Sequence, residues 1–186
     1  MKKAYVIAIN GVSGAGKTAL AELLAATLPN AVLFRFDDFD ASNVYPDDFY
    51  DWVKRGANLS EFDCPGLATA VEEEIAVESA DFIVVDYPFG REHPRLKDCI
   101  DFSVFIDTPL DVAMARRILR DGDRSTMSEL KEEMEHYIRK ARHAYLDTYR
   151  HRGTCDLILD GWDSLPALCE KVIEQIRAEP IGRGNE

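Results

Sequence analysis

One octapeptide near the start of the chain, Gly11-Val-Ser-Gly-Ala-Gly16-Lys17-Thr18, limits the fold more than any other feature. It satisfies the pattern G-x-x-x-x-G-K-S/T at every fixed position. Glycines let the backbone curl so that successive N–H groups converge on an anion. Lys17 carries a point charge suited to the β and γ phosphates of a nucleoside triphosphate, and the Thr18 hydroxyl is a ligand type for Mg²⁺. The flanks fit. An apolar run, Tyr5–Ile9, precedes the loop, and Leu20, Leu23, Leu24 and Leu28 share one helical face after it. The segment reads as strand, phosphate loop and helix, the helix adding its positive dipole end. Nucleotide contacts are expected from Gly11, Ser13, Gly14, Ala15, Gly16, Lys17, Thr18 and Ala19.

The remaining chain repeats this alternation. Short β-rich runs at Ala31–Phe36, Phe82–Asp86, Phe102–Asp107 and Leu157–Leu159 are apolar on both faces, as strands of a covered parallel sheet are. Between them lie segments of helical period. Thr108-Pro109 is a cap followed by proline at the first helical position. Thr126 with Glu129 forms a capping box, opening a helix with an apolar stripe at Leu130, Met134, Tyr137, Ile138, Ala141 and Tyr145. A last helix from about Ser164 carries Leu168, Val172, Ile173 and Ile176. The expected fold is α/β, a three-layer P-loop NTPase domain over residues 1–179 with a mainly parallel five-stranded sheet. A polar tail follows at 180–186. Ligands in such sheets bind outside the carboxyl ends of the strands. The irregular stretch from Asp37 to Cys64 is long enough to be a substrate-site loop.

Composition narrows the partners. Thirty-four Asp and Glu against 22 Lys and Arg give a net charge of -12, which opposes both nucleic-acid phosphates and anionic membranes. The 46% hydrophobic content suffices for a core. The four cysteines, Cys64, Cys99, Cys155 and Cys169, form no C-x-x-C pair, which suits free thiols in a reducing compartment. Met1-Lys2-Lys3 followed by Ala4–Ile9 is too short an apolar run for a secretory leader, and no stretch has the length of a membrane span. A cytoplasmic location is expected, with a small-molecule substrate; the oligomeric state is left open.

The phosphate loop names a ligand but no reaction. Asp63-Cys64-Pro65-Gly66 imitates a GTPase D-x-x-G, yet the residues before it are not strand-like and no N-K-x-D occurs. Phosphoryl transfer to an acceptor needs a base, a metal environment and cations over the transferring group. All three have candidates. Asp37 and Asp38 follow the second strand at the edge beside the loop, and either neighbour can face the metal. Asp86 ends the third strand where a metal-binding acid sits. Arg116, Arg117, Arg120 and Arg124 cluster around a polar turn, and residues of about 120–128 form a lid. Arg120 and Arg124 are the lid cations expected to act in catalysis with Lys17.

These motifs resemble the uridine kinase and nicotinamide riboside kinase group of P-loop kinases, from Tyr5 to about Ile176. That group moves the ATP γ-phosphate to the 5′-hydroxyl of a riboside with Mg²⁺. Its Q-D-S/D-F-Y/F string is matched by Phe36-Asp37-Asp38-Phe39-Asp40, and the resemblance implies that Asp37 is the general base, with Asp37 and Asp38 near the substrate. Its F-D-x-P string is matched by Phe62-Asp63-Cys64-Pro65, implying that Asp63 binds ribose hydroxyls. The alternative for Asp63 is an ordinary helix cap. Its arginine string is matched by Arg116-Arg117-Ile-Leu-Arg120-Asp121, implying phosphate or substrate contacts from Arg117. Its strand-ending acid corresponds to Asp86. Two departures stand out. Asp40 replaces a substrate-lining aromatic, and the family's base-reading hairpin has no counterpart between Glu74 and Asp81. In its place an unusual segment, Tyr87-Pro-Phe-Gly-Arg-Glu-His93-Pro94, follows the third strand, with His93 a candidate substrate contact. Tyr45 and Trp52 could stack on an aromatic substrate or simply pack the loop. Asp47, Asp48 and Asp51 read as a solvated acidic loop, Tyr137, Tyr145 and Tyr149 as core, and His136, His143 and His151 as surface residues.

Other acceptors remain open from sequence: a vitamin precursor, a sugar or an antibiotic. So does a non-kinase protein that binds or hydrolyses nucleotide.

Overall fold

The computed structural model describes residues 4–122 and 125–178. Five strands alternate with helices: β1 Tyr5–Asn10, α1 Lys17–Thr27, β2 Ala31–Arg35, α2 Phe49–Lys54, α3 Pro65–Val77, β3 Phe82–Asp86, β4 Phe102–Asp107, α4 Leu110–Asp121, α5 Met127–His136, α6 Arg142–Thr148, β5 Leu157–Asp160 and α7 Leu165–Ala178. All strand pairings are parallel, in the order β2-β3-β1-β4-β5. The central strand β1 pairs with β3 on one side and β4 on the other (Ile9 opposite both Asp86 and Val104). Its carboxyl end therefore opens at the point where the strand order reverses, which is where such sheets hold ligands.

Strand side chains alternate between two cores. Val6, Ala8, Ile83 and Val85 pack with Leu67 and Val71 of α3, and with the aromatic residues of the loops. Ile7, Ile9, Val84, Val104 and Ile106 pack on the other face with Leu20 and Leu24 of α1 and Leu168, Val172 and Ile176 of α7. Both sheet faces are covered, which explains why the strands read as unbroken apolar runs.

Helix starts differ from expectation in instructive ways. Helix α4 begins one residue later than the Thr108-Pro109 signal, at Leu110, and Thr108 does not cap it. Its hydroxyl instead donates to Ala15 O at 3.2 Å, fastening the phosphate loop to the end of β4. The Thr126–Glu129 capping box forms as read, with Thr126 N donating to Glu129 at 2.6 Å. The helix it opens does not run straight on. A wider π-turn at Tyr137–Ala141 separates α5 from α6, shifting which side chains face inward. Ile138, expected in the buried stripe, is consequently 67% exposed.

The stretch from Asp37 to Cys64 is not irregular. It holds a 3₁₀ turn at Phe36–Ser42, helix α2 and a short turn at Leu59–Glu61. Asp48 is no idle surface acid: its carboxylate accepts from Tyr50 N and Asp51 N, capping α2. Paired backbone bonds between Val44 and Asp63 (2.8 and 3.0 Å) close the excursion at its base. The expected lid turn includes Asp123 and Arg124, which lie outside the described residues, as does the whole of the expected tail at 180–186.

Candidate functional site: one cavity with a phosphate end and an aromatic end

A single cavity of about 640 Å³ lies at the carboxyl edge of the sheet, lined by the phosphate loop at one end and by aromatic side chains at the other. The two ends are built differently.

At the phosphate end the backbone does most of the shaping. Gly14 and Gly16 sit at φ 87° and 105°, a conformation that costs an L side chain. A Cβ on Gly14 would also meet Ala113 O at 2.2 Å, so the loop can approach α4 this closely only as glycine. No side chain caps α1, leaving its first N–H groups directed at the space where an anion would bind. Arg116 lines the cavity and also buttresses the loop, donating to Ala15 O (3.4 Å) and Gly161 O (2.9 Å).

Lys17 is enclosed here, with Nζ donating to Val12 O at 3.3 Å. Burial pushes its pKa below the ordinary lysine value, while the nearby carboxylates of Asp86 and Asp37 pull it back up. Thr18 Oγ1 donates to Asp86 Oδ2 at 2.6 Å. Asp86 is 5% exposed, and burial raises its pKa against the pull of Lys17 and the Thr18 bond. A buried carboxylate beside a hydroxyl, with few other partners, is a donor set that suits a hard cation such as Mg²⁺, which takes one or two protein oxygens and completes its shell from phosphate and water.

Asp37 lies on the cavity wall, near enough for its charge to act on Lys17, Asp86 and Tyr45. Its neighbour Asp38 does not line the cavity; it turns toward Arg35 at 3.9 Å. Arg117 and Arg120 both line it. Arg117 is held by Tyr145 OH (2.9 Å) and Glu133 (2.5 Å), and its buried Nε has no hydrogen-bond partner among the described residues. Arg120 is bound in bidentate fashion by Asp121.

The aromatic end centres on Phe62, whose ring meets those of Tyr45, Phe49, Trp52 and Phe89 at centroid distances of 4.8–5.8 Å. Trp52 is 3% exposed and donates to Asn58 O, so it both packs the loop and faces the cavity. Tyr45 lines the cavity, and its hydroxyl donates to Asp40, which with burial pushes the phenol up to about 12.

Two expected substrate contacts are directed elsewhere. His93 is fully buried behind the chamber rather than on its wall, with its ring stacked on Phe89 and Nε2 3.0 Å from Phe62 O. It shapes the wall from behind. Asp63 does not line the cavity and does not cap α3: Arg95 grips it in bidentate fashion at 2.6 and 2.7 Å, and Cys64 N donates to it. Sequence reasoning also missed residues. His151, expected on the surface, is 2% exposed and lines the cavity together with Tyr145, Asp147 and Thr148. They come from the segment beyond the π-turn, and no motif marks them.

No protein-family model matches the chain. It is similar to the uridine kinase of Clostridium botulinum strain 657, with 28% identity over 145 residues, covering 65% of this chain and 70% of that one. Its fold is similar to that of TT1252 from Thermus thermophilus (TM-score 0.62, 19% identity, 97% of this chain and 100% of that one). It is also similar to the Mycobacterium tuberculosis APS kinase solved with AMPPNP and APS (TM-score 0.59, 20% identity, 96% and 100%). The chain has the α/β fold of the P-loop kinases, with its phosphate loop and an aromatic chamber opening into one cavity.

Proposed function

We propose that the protein is an ATP- and Mg²⁺-dependent kinase that transfers the γ-phosphate to a hydroxyl of a small molecule, a nucleoside or related riboside. The observation that carries this reading is the continuous cavity. A switch or a simple hydrolase needs only the phosphate end, whereas here a second chamber, walled by rings, adjoins it with Asp37 on the wall. Ring walls suit a planar base. The similarity to uridine kinases supports the same class.

In this mechanism the loop N–H groups and Lys17 hold the β and γ phosphates. Thr18 and Asp86 would hold Mg²⁺, which would neutralise phosphate charge when bound. Asp37 accepts the proton of the acceptor hydroxyl as its oxygen attacks phosphorus in line; the P–O bond to ADP breaks, and ADP leaves. Arg117 and Arg120 offset the charge on the transferred group, the main catalytic task in such chemistry. Arg124 is assigned the same role on sequence grounds. Asp38, Asp63 and His93 support this site by position rather than by contact.

The test is ATP consumption measured with and without a panel of nucleosides. Stimulation by one acceptor is the expected result, and acceptor-independent hydrolysis would point to a nucleotide-hydrolysing protein. Asp37→Asn should retain ATP binding and lose transfer by roughly 10²–10⁴-fold, the range for a general base. Turnover near wild type would show that Asp37 is not the base.

A further inference from the structure

The unusual segment after β3 and the 3₁₀ turn Tyr149–Thr154 that follows α6 meet in an interaction that phosphate transfer does not require. Glu92, from that segment, lies 3.1 Å from Nδ1 of His151, close in distance though off the line of a straight hydrogen bond. Arg150 ties the cluster together, with Nε 3.4 Å from Glu92 and 3.3 Å from Asp147, and with Nη2 donating to Ala57 O at 2.9 Å. Asp147 and His151 are both on the cavity wall, and Thr148 lies between them in sequence and lines it too.

What these groups offer a ligand follows from what they already bind. Burial pushes the His151 pKa down, opposed by the charges of Glu92 and Asp147 and reinforced by Arg150, so the ring is neutral near pH 7. In a neutral imidazole the nitrogen beside a carboxylate carries the proton, which leaves Nε2 with a lone pair. Nε2 has no hydrogen-bond partner among the described residues. Thr148 donates its hydroxyl proton to Ala144 O at 3.1 Å, so it too presents lone pairs. Burial raises the Asp147 pKa and the charge of Arg150, 3.3 Å away, opposes that rise; the carboxylate paired with Arg150 can only accept. Three neighbouring groups on one wall are therefore all acceptors. Most donors around the cavity, Lys17, Arg117 and Arg120 among them, belong to the phosphate end, and the Tyr145 hydroxyl on this wall is engaged by Arg117.

We propose that Asp147, Thr148 and His151, with Glu92 orienting the histidine, form the edge-reading part of the acceptor site and select a planar ring that carries an amino group. A ring edge of bare carbonyl oxygens would face three acceptors and leave polar atoms unpaired, which a desolvated site penalises. An amino-substituted heterocycle supplies the N–H groups, and the surrounding rings supply its faces. This inference rests on reading the aromatic chamber as the acceptor site.

Binding can be read without turnover, because Trp52 is in the chamber. The chain has two tryptophans, and the other, Trp162, is 67% exposed. In a Trp162→Phe background, quenching of Trp52 fluorescence is titrated with cytidine and with uridine, which differ at the ring edge by an amino group against a carbonyl. Cytidine should bind about tenfold tighter or better, the worth of one well-made buried hydrogen bond. Asp147→Asn, which puts an amide N–H₂ where a carboxylate stood, should erase or reverse that ratio. His151→Phe should weaken cytidine more than uridine. ATP affinity, measured in parallel, should stay within about twofold in both variants, which also reports that they fold. Equal affinity for the two nucleosides, a ratio unchanged by Asp147→Asn, or no binding of either would overturn the proposal. Phosphorylation of the two nucleosides, assayed separately, decides the kinase reading independently: cytidine-selective binding without transfer would sink that reading and leave this one standing.

Discussion

The two ends of the cavity are built on different principles. The phosphate end is made from eight consecutive residues, shaped by backbone with φ above zero at Gly11, Gly14 and Gly16 and closed by one half-buried lysine. The aromatic end is assembled from rings at Phe36, Tyr45, Phe49, Trp52, Phe62 and Phe89, brought together from separate segments and fixed by packing. A backbone-built site recognises a chemically invariant group and leaves almost no position free to vary. A side-chain-built chamber can be recut residue by residue while phosphate binding stays intact. If this division is right, substitutions at one end should change parameters that substitutions at the other end leave alone.

The largest effect is expected at Lys17. Lys17→Met removes the charge that, in the proposed mechanism, meets the transferring phosphoryl group, and kcat should fall on the order of a thousandfold. Acceptor affinity, read by Trp52 fluorescence, should hardly change; a parallel loss of acceptor binding would break the proposed separation. Next comes Trp52→Ala. Emptying a ring that is 3% exposed should cost about 3–5 kcal/mol of stability by denaturant unfolding. It should also raise the acceptor KM by about tenfold with the ATP KM unchanged. A rise in both would show that the two ends are not independent.

A smaller, pH-dependent effect concerns the wall behind the chamber. Burial pushes His93 below its ordinary value of 6.5, so the folded protein resists a proton that the unfolded chain accepts. Its contribution is fully present above about pH 6.5 and is lost as the pH falls below that value. Thermal melts between about pH 7.5 and 5.5 should therefore show wild type losing more Tm than His93→Gln, with other groups cancelling in the comparison. Equal slopes would mean that His93 is not held neutral against Phe62 O. The smallest effect is expected from Arg95→Ala. The guanidinium is about half exposed, and solvent screens its pair with Asp63, so Tm should move by about 2 °C or less. A sharp rise in acceptor KM without that Tm change would instead place Asp63 in the substrate contacts.

The two ends also differ in how far they can be read from residues alone. The phosphate loop, its strand and its helix were legible because the motif is contiguous and each position answers to a local rule. Asp86 was legible because a parallel sheet places strand ends on one edge, and Asp37 because it follows β2 directly. His93 misled because nearness in sequence to a strand end does not say which way a side chain turns; packing sent it behind Phe89. Asp63 misled because Arg95, thirty-two residues away, claims its carboxylate. His151 was missed because it sits in a 3₁₀ turn, Tyr149–Thr154, beyond a π-turn that no hydrophobic period announces.

What the sequence determined by itself was the local chemistry: a phosphate-binding turn, the strands that frame it, the capping box at Thr126 and the acids at strand ends. These depend on backbone conformation and on neighbours a few residues apart. Tertiary structure alone decided what the second chamber is. Its rings, its acceptor-rich wall and the Glu92–His151 contact join residues from distant segments, and only the closed fold sets which of them touch. A phosphate needs the same cradle wherever it is bound, so a short motif can encode it. The second chamber has no such fixed ligand, and its specificity lies in contacts made when the chain folds.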